Sequence, residues 1–116
     1  AILRRISRDD QNTHIFKHSN LEINIENYSV LVDNSPVILT KKEIELLWTL
    51  ATNQNKVFTR DNLLNSLWGY EYFGDSRTVD SHIKRLRAKL DQFSHPDWDI
   101  KTIWGVGYKF EVAANV

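Results

Sequence analysis

Asp80, Ser81 and His82 are adjacent, and they are the three residue types of a nucleophilic relay. A relay needs each group within hydrogen-bond reach of the next. Neighbours on a helix point about 100° apart, so these three cannot converge. His14, His18, His82 and His95 show no ligand spacing, and no HExxH motif occurs. The chain has no cysteine, which removes disulfides and thiolate metal sites. Gly105-Val106-Gly107 lacks the third glycine and the strand–helix setting of a nucleotide loop. Neither an enzyme nor a metal or cofactor protein is expected.

The spacing does support charge recognition. Residues 76–90 hold Arg77, Lys84, Arg85, Arg87 and Lys89 against one acid, Asp80, so they carry about +4 in a chain of zero net charge. Read as a helix, the segment puts Val79, Ile83, Leu86 and Leu90 on one narrow stripe. Arg77, Ser81, Lys84, Arg85 and Ala88 fall on the opposite face, with His82 and Arg87 flanking the stripe. A basic face with small residues at its centre can come close to a nucleic-acid groove. A solvated surface helix is the other reading of the same pattern. A guanidinium pairs bidentately with guanine O6 and N7, so Arg85 is the expected base reader, and Ser81 could touch a base edge or a thymine methyl. Lys84, Arg87 and Arg77 are expected on phosphates, which position a helix without specifying sequence. His82 reads equally as a contact to the nucleic-acid backbone or as a packed histidine.

Other elements must hold this helix. Leu21, Ile23 and Ile25 alternate with Glu22, Asn24 and Glu26, the period of a half-buried strand. Tyr28, Val30 and Val32 repeat it, Asp33-Asn34-Ser35-Pro36 supplies a turn, and Val37-Ile38-Leu39 follows as a further strand. With Ile15-Phe16-Lys17 in front, three or four antiparallel strands are expected. Thr40 and Glu43 form a capping box that opens a helix with Ile44, Leu47, Trp48 and Ala51 inward, widened by Leu46 and Leu50. Phe58-Thr59 starts a second helix with Thr59 as cap and Leu63, Leu64, Leu67 and Trp68 as its apolar side. The N-terminal amides there, with Thr59 and Arg60, could also bind a phosphate. Residues 100–104 and 108–112 read as a hairpin, with Gly105 and Gly107 bracketing Val106 where positive φ is wanted. Two helices leading into a basic third and then a hairpin is the layout of a winged helix-turn-helix, an α+β fold.

A chain of 116 residues, 41% hydrophobic with four tryptophans, suits one packed domain. No apolar run approaches the roughly 18 residues that cross a bilayer, so no membrane contact is expected. Residues 1–13, starting at Ala1 and passing from Ile2-Leu3-Arg4-Arg5-Ile6 into a polar stretch, read as the end of a preceding domain and a linker. Residues 14–113 are then the domain, and 114–116 a tail.

Leu39-Thr40-Lys41-Lys42-Glu43-Ile44-Glu45-Leu46-Leu47, Phe58-Thr59-Arg60, Arg77-Thr78-Val79-Asp80-Ser81-His82-Ile83 with Arg85-Leu86-Arg87, and Gly105-Val106-Gly107-Tyr108 occur in that order. Together, from about Phe16 to Val112, they resemble the C-terminal effector domain of OmpR/PhoB-type response regulators. The asparagine usage and the Trp104-Gly105-Val106-Gly107-Tyr108 wing are similar to respiratory-control regulators of low-GC Gram-positive bacteria. The resemblance implies a four-stranded N-terminal sheet, three helices and a C-terminal wing, with the third helix in the major groove of double-stranded DNA. It implies that Arg77, His82, Lys84, Arg85 and Arg87 meet phosphates or bases, that Asp80 and Ser81 lie near base edges, and that Thr102 meets a phosphate.

It further implies a cytoplasmic two-component protein with a phosphorylated receiver, a cognate histidine kinase, and dimers on repeated promoter sites. The loop after the second helix would face RNA polymerase through Tyr70, Glu71, Tyr72 and Phe73, although aromatics folded back on the core would give the same composition. The wing, residues 100–112, would lie near the minor groove, with one departure: in several relatives an arginine just before the wing's first glycine reaches into that groove, and this chain has Trp104 there. Lys101 or Lys109 could partly substitute, and Trp104 is expected to pack under the wing, as large aromatics beside hairpins usually do. Two other readings remain: a one-component regulator, and a winged helix that binds protein.

Overall fold

The computed structural model describes residues 14–69 and 76–112. Four strands come first: β1 (Ile15–His18), β2 (Leu21–Asn24), β3 (Ser29–Val32) and β4 (Ser35–Pro36), antiparallel in sequence order. Alternation puts Leu21, Ile23, Val30 and Val32 on the buried face, as their period of two requires. Asp33 (φ 55°) and Asn34 (φ 63°) join β3 to β4 in left-handed conformations, which Asp and Asn tolerate better than bulkier residues. Three helices follow: α1 (Lys41–Ala51), α2 (Arg60–Leu67) and α3 (Arg77–Leu90). Between α1 and α2 lies β5 (Phe58–Thr59), which joins β6 (Trp98–Ile103) and β7 (Gly107–Val112) in a second sheet of order β5-β7-β6.

Several expectations need correction. Val37-Ile38-Leu39 is not a strand: after β4 a single bond from Val37 N to Val30 O continues the pairing, and Ile38 points into solvent at 83% exposure. The chain must leave the sheet there to enter the Thr40 cap. The second strand ends at Asn24, whose side chain accepts from the amides of Glu26 and Asn27 and so bends the backbone out of the sheet. Phe58-Thr59 pairs with Tyr108 and Gly107 before the helix begins, and Thr59 serves as both strand end and N-cap. A two-residue strand has no period to read, so only the distant partner reveals it.

Both helix caps form as read. Thr40 Oγ1 accepts from Glu43 N at 3.2 Å while Glu43 Oε1 accepts from Thr40 N at 2.9 Å. At α2 the reciprocal partner of Thr59 is Asn62. Ile44, Leu47, Leu50 and Ala51 of α1 meet Val79, Ile83, Leu86 and Leu90 of α3 in one core with both sheets. Trp98 stacks on Phe110 at 5.7 Å, Phe16 meets Phe110 edge-on at 5.8 Å, and Trp98 Nε1 donates to Asn20 Oδ1 at 2.7 Å. This aromatic layer fixes the wing's base to the N-terminal sheet.

The segment between α3 and the wing is pinned by His95, whose ring stacks on Trp98 at 4.3 Å. Its Nδ1 lies 2.8 Å from the Trp98 carbonyl and its Nε2 2.9 Å from Asp91 Oδ1. Both partners are acceptors, so both ring nitrogens donate only in the imidazolium form. Burial opposes that charge, but the Trp98 carbonyl and the carboxylates of Asp91 and Asp99 outweigh it and raise the pKa above the ordinary 6.5. A raised pKa contributes stability that is complete below the unfolded value and lost as pH rises through the folded one. The stability gap between the native chain and His95→Gln, measured in urea, is therefore expected to shrink between pH 6 and pH 8. A gap independent of pH would contradict the charged assignment.

Candidate nucleic-acid interface

The face of α3 turned away from the core is basic and open. Ser81, Lys84, Arg85 and Ala88 are exposed, as is Arg77 at the helix start. Their accessibility follows from the buried stripe opposite, where Val79, Ile83, Leu86 and Leu90 are each at most 2% exposed. Helix packing against α1 and α2 thus presents this face as a rigid unit.

Two polar networks orient it. The first centres on Glu43, which is fully buried in α1. Lys89 Nζ donates to Glu43 Oε1 at 2.7 Å, and Arg85 Nε stands 3.8 Å from Oε2. Burial would raise the Glu43 pKa, but the Lys89 ammonium and the Thr40 cap outweigh it and hold it below the ordinary range. Arg85 keeps 55% of its side chain exposed, so its guanidinium is steered from beneath yet reaches solvent. Read from sequence, Glu43 is a capping residue only; its cationic partners lie across the core, and no local pattern announces them.

The second network attaches the wing. Tyr108 OH donates to Asp80 Oδ1 at 2.5 Å, and Arg60 donates to Asp80 Oδ2 at 2.9 Å. Burial first, and the Asp80 carboxylate second, push the Tyr108 pKa up to about 12, so its hydroxyl remains a donor. Arg87 donates to the Ile100 carbonyl at 3.1 Å and to Thr102 Oγ1 at 2.6 Å, with its guanidinium 5.5 Å from the Tyr108 ring centre. Asp80, Arg87, Thr102 and Arg60 are therefore joined to one another within the protein. From sequence, Tyr108 is only the first residue of the second wing strand and the last of the Gly105-Val106-Gly107-Tyr108 motif; its tie to Asp80 shows only in the fold.

The remaining expected site residues are dispersed. His82 is half-buried; its Nδ1 lies 2.8 Å from the Thr78 carbonyl and its ring meets Trp68 edge-on at 5.0 Å, the packed reading. Lys101 pairs with Asp99 at 3.6 Å and Lys109 with Glu111 at 3.5 Å on the wing strands. Tyr70, Glu71, Tyr72 and Phe73 lie outside the described residues.

The wing itself departs from expectation twice. Gly105 has φ 79°, but Gly107 is not in the left-handed region; it is a glycine because β5 passes directly over it. Trp104 does not pack under the wing. It sits in the turn and is 88% exposed, whereas Tyr108 of the wing is buried and covered by the Arg87 guanidinium. Between α3 and the wing runs a groove of about 460 Å³ bordered by Lys84, Ala88, Thr102 and Trp104.

A rigid helix with an exposed basic face, two helices behind it and a hairpin clamped to its flank define a winged helix-turn-helix domain. Residues 34–110 match the family described as transcriptional regulatory protein, C terminal, and the chain belongs to that family, in its OmpR/PhoB branch. It is 55% identical over 101 residues to the transcriptional regulatory protein SrrA of Staphylococcus aureus, covering 86% of this chain and 41% of that protein. The chain thus spans about two-fifths of the length of these curated relatives. Response regulator DrrB of Thermotoga maritima, an OmpR/PhoB homolog, superposes with TM-score 0.76 at 36% identity, over 95% of this chain and 51% of DrrB. The DNA-binding domain of Klebsiella pneumoniae RstA, in complex with the RstA box, superposes with TM-score 0.72 at 35% identity, over 84% of this chain and 96% of RstA's domain. The family is one of transcription regulators, not enzymes. Among the described residues no helix is long and apolar enough to cross a membrane.

Proposed function

We propose that this domain binds double-stranded DNA sequence-specifically, as the output domain of a two-component response regulator acting in the cytoplasm. The carrying observation is the exposed α3 face, on which the small Ser81 and Ala88 flank Lys84 and Arg85. A helix of that profile fits the width of a major groove. Arg85 reads a base edge, Ser81 touches its neighbour, and Lys84 and Arg77 hold phosphates. Thr59 and Arg60, at the start of α2, offer amides and a guanidinium to a further phosphate. Asp80, Arg87 and Thr102 act chiefly by fixing the wing, which lies near the minor groove with Lys101 and Lys109. His82 contributes packing against Trp68. The RstA domain, of nearly the same extent, is in complex with its box, which supports this reading. Residues 69–75 would meet RNA polymerase, and phosphorylation of a receiver by its histidine kinase would pair two domains on repeated sites, an effective-concentration gain.

Selection from random duplexes, then titration of the winning site and a scrambled one at two salt concentrations, tests the reading. A motif bound far above scrambled DNA is expected. Arg85→Ala is expected to weaken the selected site on the order of 10- to 100-fold and random DNA much less. Lys84→Ala should weaken both alike and lower the salt slope by about one. Equal losses on both DNAs for Arg85→Ala would remove it as base reader.

A further inference from the structure

We infer that Asp91, His95 and Asp99 form a binding site for a divalent cation of the zinc class, at the junction where α3 ends and the first wing strand begins. The inference does not depend on the DNA-binding reading.

One ring nitrogen of His95 and one carboxylate oxygen from each aspartate lie within 4.8 Å of one another. Three pieces of chain bring them together: Asp91 is the C-cap of α3, His95 stands in the connecting segment, and Asp99 is the second residue of β6. Histidine spacing could not show the group, because its other two members are carboxylates. The ring is already oriented. It stacks on buried Trp98, keeps 11% of its side chain exposed, and sets Nδ1 2.8 Å from the Trp98 carbonyl. A carbonyl on Nδ1–H fixes the tautomer whose Nε2 offers a lone pair, the usual arrangement behind a metal-ligating histidine. Nε2 faces Asp91 Oδ1 at 2.9 Å. Tetrahedral bonds of about 2.0–2.2 Å set neighbouring ligands roughly 3.4 Å apart, so this pair need open by only about half an ångström. The Asp91 and Asp99 side chains are 63% and 44% exposed and free to close the remaining distance.

The local charge calls for a cation. Asp91 puts a carboxylate at the negative end of the α3 dipole, where positive charge is favoured. The basic residues of that last turn are engaged elsewhere, Arg87 with the Ile100 carbonyl and Thr102, Lys89 with Glu43. Asp99 is the cross-strand partner of Glu111, a like-charge pair that costs stability. Lys101 and Lys109 stand 3.6 Å and 3.5 Å from these two acids, and half-exposed Lys101 can withdraw into solvent. Between Asp91 and His95 a single proton on Nε2 now supplies one positive charge. A divalent ion taking its place supplies two, the displaced proton leaves to solvent, and Nδ1 keeps its own. His95 and Asp99 also line an open hollow with Asp97 and Glu111, through which a hydrated ion can enter. One imidazole and two carboxylates, with water in the fourth position, suit zinc; magnesium and calcium take oxygen donors.

The test titrates zinc, and magnesium in parallel, into the chelator-treated chain carrying no histidine tag, by calorimetry and with the imidazole nitrogen resonances followed by NMR. One zinc per chain is expected, with a dissociation constant in the micromolar range. The resonance that moves should be Nε2 of His95, while those of His14, His18 and His82 stay in place. Asp91→Asn and Asp99→Asn keep the side-chain shape, and circular dichroism should show both folded. Each is expected to weaken zinc by at least about tenfold. Zinc should raise the Tm of the native chain and leave that of Asp99→Asn nearly unchanged. Neither heat nor a resonance shift at millimolar zinc would overturn the inference. Binding centred on another histidine would do so as well, as would native affinity in both asparagine variants. Magnesium held as tightly as zinc would also overturn it, since charge alone, without the imidazole, would then account for the binding.

Discussion

Gly107→Ala is expected to lower stability by roughly 3 kcal/mol or more, at the upper end of overpacking costs. A Cβ at this position would lie 1.9 Å from the Phe58 carbonyl oxygen, and 2.8 Å from both the Phe58 carbonyl carbon and Thr59 Cα. All three are backbone atoms, so no rotamer change relieves the clash. β5 must lift from β7, which breaks the Phe58–Tyr108 and Thr59–Gly107 pairing. Tyr108 then loses the frame that aims its hydroxyl at Asp80, and Thr59 loses its place as the cap of α2. A fall in Tm on the order of 15 °C is expected for a domain of this size. Gly105→Ala gives the contrast. Nothing lies within 4 Å of its Cβ, and only the left-handed φ of 79° opposes the change, a cost of about 1–2 kcal/mol. If thermal denaturation ranked Gly105→Ala as the more damaging of the two, the close approach of β5 would be wrong.

Glu43→Ala should come next, at about 3 kcal/mol, because it removes a buried partner and leaves charges facing the void. The capping box loses one of its two reciprocal bonds, the one from Thr40 N. Lys89, about a third exposed, can swing its ammonium to water, which keeps the loss near the lower end of values for buried pairs. Glu43→Gln keeps the shape and an acceptor for the cap, so the gap between Gln and Ala variants measures the cap and the native-to-Gln gap measures the charge. The sign with pH follows from the depressed pKa. The charge contributes above the unfolded carboxylate value near 4.3 and is lost as pH falls through the folded one. Native and Glu43→Gln stabilities, from urea titrations, should therefore differ at pH 7 and converge in acid. Specificity should fall as well, since Arg85 is oriented over the same carboxylate. A Gln variant as stable as the native chain at pH 7 would show that the ion pairs only break even with their desolvation.

Helix α3 was legible from its residues because everything that shapes it is local. The Val79–Ile83–Leu86–Leu90 stripe has the period of the helix itself, and burying it obliges Ser81, Lys84, Arg85 and Ala88 to face outward. The Thr40–Glu43 cap and the alternating strands β2 and β3 were legible for the same reason: each is set by neighbours no more than four residues away. What lay beyond that range was read wrongly or not at all. Trp104 was expected under the wing on residue type, but it sits in the turn at 88% exposure, and the wing aromatic that meets Arg87 of α3 is Tyr108. Gly107 was given a conformational reason when its reason is a strand nearly fifty residues earlier passing overhead. Glu43, Asp80 and Tyr108 carry chemistry that pattern could not display, because their partners stand 46, 20 and 28 residues away. Hydrophobic period and capping are properties of a chain segment, so sequence alone determined the three helices, the strands β2 and β3, and which face of α3 is basic and open. Occupied volume and long-range ion pairs are properties of the packed chain. The tertiary structure alone decided how that face is held and which wing residue stands free.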